Sequence, residues 1–129
     1  MSAVPGPRDV ALVGIGGALG SVTRYLTGYA LPWDANVSTF AINVVGSLLL
    51  GLMVAGFAGR RPRLQLTLGT GFCGGFTTYS ALAVGIAELT RSGEVFSAML
   101  LALGTVACTG VASLVGVLIG RRLSAASAA

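Results

Sequence analysis

The sequence has no histidine and no lysine, and only four acidic residues, Asp9, Asp34, Glu88 and Glu94. Without histidine there is no imidazole base and no histidine ligand for a metal. The four carboxyls form no catalytic pair, and no nucleophile or cofactor motif appears, so no enzyme is expected. The two cysteines, Cys73 and Cys108, lie in separate apolar segments with no second cysteine nearby. That favours packing over a disulfide or metal site. Charge is scarce altogether, at 9% of 129 residues, where soluble domains carry roughly 25%. With 54% hydrophobic residues and a mean hydropathy of +0.88, the composition is that of an integral membrane protein.

The length allows one domain. Four apolar blocks stand out, at about 10–31, 37–58, 64–89 and 95–119. Each exceeds the ~20 residues needed to cross hydrocarbon, so four membrane-spanning helices are expected. The connectors carry the breakers, Pro32-Trp33-Asp34, then Gly59-Arg60-Arg61-Pro62-Arg63, then Arg91-Ser92-Gly93-Glu94. A cleaved signal peptide fits the first block poorly, because Arg24 interrupts it and no clean cleavage motif follows. The Ser/Ala-rich tail after Arg121-Arg122 is expected to be disordered.

All eight basic residues are arginines, and the net charge is +4. They sit between apolar blocks and not on one soluble face, so they point to topology and to lipid, not to nucleic acid. With four spans, Arg8, Arg60, Arg61, Arg63, Arg121 and Arg122 share one side of the membrane, and Arg91 alone marks the other. The positive-inside rule then places both termini in the cytoplasm of a multi-pass protein of the cell inner (plasma) membrane. Among the 20 glycines, Gly16 with Gly20 and Gly116 with Gly120 have the small-xxx-small spacing that lets helices approach closely in lipid.

The third block contains the stretch GFCGGFTTYS, Gly71 to Ser80, which puts poor helix formers at bilayer depth. Each glycine costs a helix about 1 kcal/mol relative to alanine. Backbone freed by a break must line a cavity, meet another subunit or bind an ion, because it cannot face lipid. On spacing alone, a break and an intact kink whose threonines bond back to their own turn stand level.

GFCGGFTTYS resembles the GFCGGxTTFS signature of the Fluc (CrcB) family of fluoride channels. Gly16-Gly17-Ala18-Leu19-Gly20 with Arg24-Tyr25 resembles the family's first-helix GGxxGxxxRY, and Thr39 to Ser47 resembles its second-helix TxxxNxxGS. The resemblance implies an all-α protein of four spans with the third one broken at its middle, paired as an antiparallel dimer. It implies passive fluoride efflux from the cytoplasm, which lowers fluoride toxicity. It also implies a structural, untransported sodium ion held by the backbone carbonyls of Gly74 and Thr77. Fluoride holds its water tightly, so the pore must replace that water with hydrogen-bond donors. The residues implied for the pore are Asn43, Tyr79, Ser80, Thr39, Thr105, Thr109 and Ser113, the last three forming one stripe at four-residue spacing. Arg24 is implied as a vestibule residue that attracts anions or as an anchor of the dimer.

The chain departs from the family pattern after the paired threonines. Tyr79 and Leu82 stand where the family has two pore-lining phenylalanines, Ala81 removes a hydroxyl, and Gly85 replaces a frequent glutamate. A homodimer with tolerated substitutions is one reading. The other is a heterodimer with a paralogous subunit of opposite orientation that supplies the missing phenylalanine. The six-to-one arginine split favours the heterodimer, since dual topology needs balanced charge. A multidrug-type proton-coupled exporter would need a carboxylate in its first helix, and block 10–31 has none. A non-transporting assembly factor would leave the broken stretch and the polar stripe without purpose.

Overall fold

The computed structural model describes residues 5–57, 59 and 61–126, so Arg60 and the two extreme termini lie outside the described residues. The described residues are helical, with no strand among them. Helix α1 runs Pro7–Ala30 and α2 runs Ala35–Gly56. The third span opens with a short α turn, Pro62–Leu64, and continues as a π-helix, Gln65–Cys73, and an α turn, Gly74–Phe76. Together these three pieces are α3. After the break come α4, Tyr79–Arg91, and α5, Val95–Ala126. Four stretches, Pro7–Ala30, Ala35–Gly56, Pro62–Arg91 and Val95–Ala126, are long and apolar enough to cross a membrane. This is a multi-pass membrane architecture.

The ends form where the sequence supplies partners for loose amides. Pro7 opens α1, and the Asp9 carboxylate accepts the Gly6 N–H at 3.1 Å. Asp34 caps α2 by accepting the Asn36 N–H at 2.8 Å. Gly93, at φ 85°, makes the tight turn into α5 that a residue with a side chain would resist.

Two backbone-close helix pairs build the bundle. A β-carbon on Gly16 or Gly20 of α1 would overlap the Thr67 or Phe72 carbonyl of α3, and one on Gly75 would overlap the Gly17 carbonyl in return. On the other side, Gly116 and Gly120 of α5 abut the Leu48 and Leu52 carbonyls of α2. Both small-residue pairs expected from spacing are therefore contact points, and in lipid such contact stands in for the hydrophobic drive that water would supply. The buried apolar core is small, Ile42, Cys73, Phe76, Leu82 and Ala98, while long apolar side chains of α1 and α5 face outward. Cys73 packs inside as expected, whereas Cys108 is exposed on the outer face of α5.

The tail corrects one expectation. Helix α5 continues seven residues beyond 119, through Arg121 and Arg122 to Ala126. Its Ser124 hydroxyl donates to the Gly56 and Ala55 carbonyls at 3.0 and 3.3 Å, satisfying the last acceptors of α2. This docking brings Arg121 and Arg122 to the same end of the bundle as the α2–α3 connector, with Arg61 and Arg63.

Candidate functional site

The third span is broken, and the break lies two residues beyond the glycine pair. Gly74 is still right-handed helical at φ −63°, ψ −37°. Thr77 (φ −75°, ψ 157°) and Thr78 (φ −147°, ψ 123°) are extended. The glycines therefore do not unwind the helix. Gly75 lets α3 touch α1, while a β-carbon on Gly74 would meet nothing within 4 Å.

Side chains from two helices, together with the break's own threonines, secure the opened backbone. Asn43 on α2 is 6% exposed; its Oδ1 accepts the Thr78 N–H at 2.7 Å, and its Nδ2 donates to the Thr78 carbonyl at 2.9 Å. Three residues on, Gly46 leaves space for the Thr77 methyl, which lies where a β-carbon would be. From α1, Arg24 Nε and Ser21 Oγ donate to the Gly75 carbonyl at 3.2 and 3.4 Å. Thr77 Oγ1 bonds back to the Cys73 carbonyl at 3.0 Å, as a threonine in an intact turn would. Thr78 Oγ1 instead caps α4, accepting the Ala81 N–H at 3.3 Å, and lies 3.2 Å from Ser80 Oγ. No side chain among the described residues donates to the Gly74, Phe76 or Thr77 carbonyls.

Below the break lies a cavity of about 270 Å³ lined by Asn43, Thr77, Thr78, Tyr79, Thr105 and Thr109, with Leu82 and Val106 on its apolar side. Of the residues expected in a pore, the structure thus gathers Asn43, Tyr79, Thr105 and Thr109. Thr39 lines two neighbouring cavities, one of about 330 Å³ with Arg24 and Ser38, the other of about 380 Å³ with Ser80 and Glu88. Ser113 sits apart and donates to the Ser47 carbonyl at 3.3 Å, joining α5 to α2.

The hydrogens matter as much as the oxygens. Thr105 Oγ1 donates to the Leu101 carbonyl at 2.6 Å and Thr109 Oγ1 to the Thr105 carbonyl at 2.7 Å, so both hydroxyls are back-bonded along α5. In that state they offer lone pairs to the cavity. Donors come from elsewhere. Asn43 has two amide hydrogens and commits one to Thr78. Tyr79 adds a phenol, and the first turn of α4 has amides without intrahelical acceptors at the positive end of its dipole.

These residues coincide with the matched region of a known family. Residues 11–119 match the family described as "CrcB-like protein, Camphor Resistance (CrcB)". The chain belongs to the CrcB family. It is 43% identical over 127 residues to a Bacillus licheniformis protein named Fluoride-specific ion channel FluC 2, covering 93% of this chain and 92% of that one. A Leifsonia xyli protein of the same name is 41% identical, over 88% of this chain and 83% of its own. Chlorobaculum tepidum Fluoride-specific ion channel FluC is 41% identical, over 78% and 84%. These CrcB relatives carry the name of a channel, not of an enzyme.

Within the CrcB frame, the departures have structural counterparts. Leu82 is 6% exposed and lines the cavity below the break, so that part of its wall is aliphatic. At Gly85 a β-carbon would overlap the Asn36 carboxamide oxygen, so Asn36 fills the space a glutamate stem would need. Reading the sequence missed Thr78, Ser21 and Gly46 as parts of the site. The Asn43–Gly46 spacing was the available signal, since residues three apart share a helix face.

Proposed function

We propose that this chain is one subunit of a fluoride-specific ion channel that lets fluoride leave the cytoplasm passively. The observation that carries this reading is the cavity below the break, which brings Asn43, Tyr79 and four threonines together within an apolar four-span bundle. Fluoride entering it must exchange tightly held water for protein donors. The uncommitted Asn43 amide hydrogen, the Tyr79 phenol and the first-turn amides of α4 fill that role. The Thr105 and Thr109 hydroxyls join by turning their hydrogens from α5 carbonyls toward the ion.

The subunit works in an antiparallel dimer about a structural sodium ion. Helical donors have left the Gly74 and Thr77 carbonyls, since the Thr78 N–H bonds Asn43 and the Ala81 N–H bonds Thr78 Oγ1. Hard cations take oxygen ligands of this kind, so the two carbonyls fit sodium. The partner is a paralogous chain of reversed orientation. Supporting this are Arg61, Arg63, Arg121 and Arg122, which share one end of the bundle, the end that the positive-inside rule assigns to the cytoplasm. A homodimer is the alternative.

Fluoride efflux from liposomes, followed with a fluoride electrode, tests the proposal on this chain alone and with a paralogue of reversed charge bias. Efflux of fluoride without chloride is the expected result. Absence of fluoride efflux in both preparations, with the protein inserted, would refute it.

A further inference from the structure

We propose that Asn43 and Thr78 form a latch that keeps the third span open and its Gly74 and Thr77 carbonyls available to a cation; this rests on the sodium site proposed above. In an unbroken helix the Thr78 N–H would bond the Gly74 carbonyl, and the Ala81 N–H would bond the Thr77 carbonyl. Those are the two donors that side chains divert. Asn43 Oδ1 takes the first at 2.7 Å, and Thr78 Oγ1 takes the second at 3.3 Å. The Asn43 amide also donates to the Thr78 carbonyl at 2.9 Å, so Thr78 is held at both its backbone polar groups.

Side chains cover some carbonyls of the break and leave others open. Gly75 is covered by Arg24 and Ser21, and Thr78 is covered by Asn43, while Gly74, Phe76 and Thr77 receive no side-chain donor among the described residues. Gly74 is exposed on the bundle surface and Thr77 is half-buried. At membrane depth an uncovered carbonyl is costly against lipid as well as protein, so re-forming the helix would be favourable if its donors were released. Occupying those donors removes that route. Gly46 adds a steric part, since the Thr77 methyl lies in the space its missing side chain leaves. Asn43 is thus a positioning residue for the cation site, separately from any contact it makes with fluoride.

The two roles of Asn43 separate by substitution. Asn43→Asp keeps an oxygen acceptor for the Thr78 N–H but gives up the amide donor and brings a carboxyl into an anion path. Asn43→Leu removes acceptor and donor together. Thr78→Val keeps the shape of the side chain and releases the Ala81 N–H. The measurement is the rise in thermal stability of the assembled protein as sodium chloride replaces the chloride of a large organic cation. We expect sodium to stabilise wild type and Asn43→Asp at similar concentrations, although fluoride flux falls in the latter. In Asn43→Leu and Thr78→Val the midpoint should move to about tenfold more sodium or beyond, the scale of one hydrogen bond. Should Asn43→Leu fail to assemble, Asn43→Asp and Thr78→Val decide alone. Unchanged sodium dependence in Thr78→Val, or its loss in Asn43→Asp, overturns the latch while leaving the sodium site standing. No sodium dependence in wild type overturns both.

Discussion

The adjacent glycines of the third span should respond oppositely to alanine. In Gly75→Ala the new methyl would overlap the Gly17 carbonyl oxygen and lie 2.9 and 3.0 Å from the carbonyl carbon and Cα of Gly17. All three atoms are backbone, so no side chain can swing away and α1 must separate from α3. Overpacking of this kind costs ~1–3 kcal/mol. The separation also pulls Arg24 and Ser21 from the carbonyl of half-buried Gly75, and an acceptor stripped of its donors away from water costs up to about 1–3 kcal/mol more. In Gly74→Ala the methyl meets nothing within 4 Å, at dihedrals suited to alanine. The subunit's own helix gains up to ~1 kcal/mol from that exchange. On the proposed dimer, any harm from Gly74→Ala must then arise outside the subunit, at the partner. Unfolding in mild detergent measures the first effect, and crosslinked dimer yield in liposomes measures the second. Gly75→Ala should unfold far more readily, while Gly74→Ala should unfold normally yet dimerise poorly. A Gly75→Ala protein as stable as wild type would refute the packing argument. A Gly74→Ala protein that dimerises normally would refute the partner contact.

Other outcomes follow from the same geometry. Arg24→Ala removes the Nε donor from the Gly75 carbonyl and should destabilise the fold by about 1.5–3 kcal/mol, the scale of a hydrogen bond from a charged group, read from the unfolding midpoint in detergent. Leu82→Phe adds an aromatic edge beside the 270 Å³ cavity and should raise fluoride flux through a dimer that contains this chain. Ser124→Ala strips the donor from the Ala55 and Gly56 carbonyls, and the end of α5 should become protease-sensitive without loss of flux. Reporter fusions at both termini should give one dominant orientation with both ends cytoplasmic; comparable signal from both sides would return the homodimer to favour.

The sequence by itself determined the membrane class, the four spans and the family. These rest on properties additive along the chain, namely apolar run length, arginine placement and motif order. The close helix contacts were also legible, because four-residue glycine spacing is a one-dimensional trace of a helix face. Tertiary structure alone decided where the third span breaks. Gly74-Gly75 has the lowest intrinsic helix propensity, yet it stays helical because the α1 backbone fits against Gly75, and the chain opens at Thr77-Thr78 because Asn43 and Gly46 on α2 receive it there. Local preference is worth about 1 kcal/mol per glycine, less than a pair of hydrogen bonds in an apolar interior together with close packing. The tail as far as Ala126 had the same outcome, since composition suggested disorder and docking of Ser124 onto the end of α2 accompanies a helix there. Which polar side chains have a hydrogen to spare was likewise beyond the sequence. Thr105, Thr109 and Ser113 read as one stripe, but the fold sends two of them back along α5 and the third across to α2. A hydroxyl's direction is set by the nearest acceptor in space, and only the folded chain defines that neighbour.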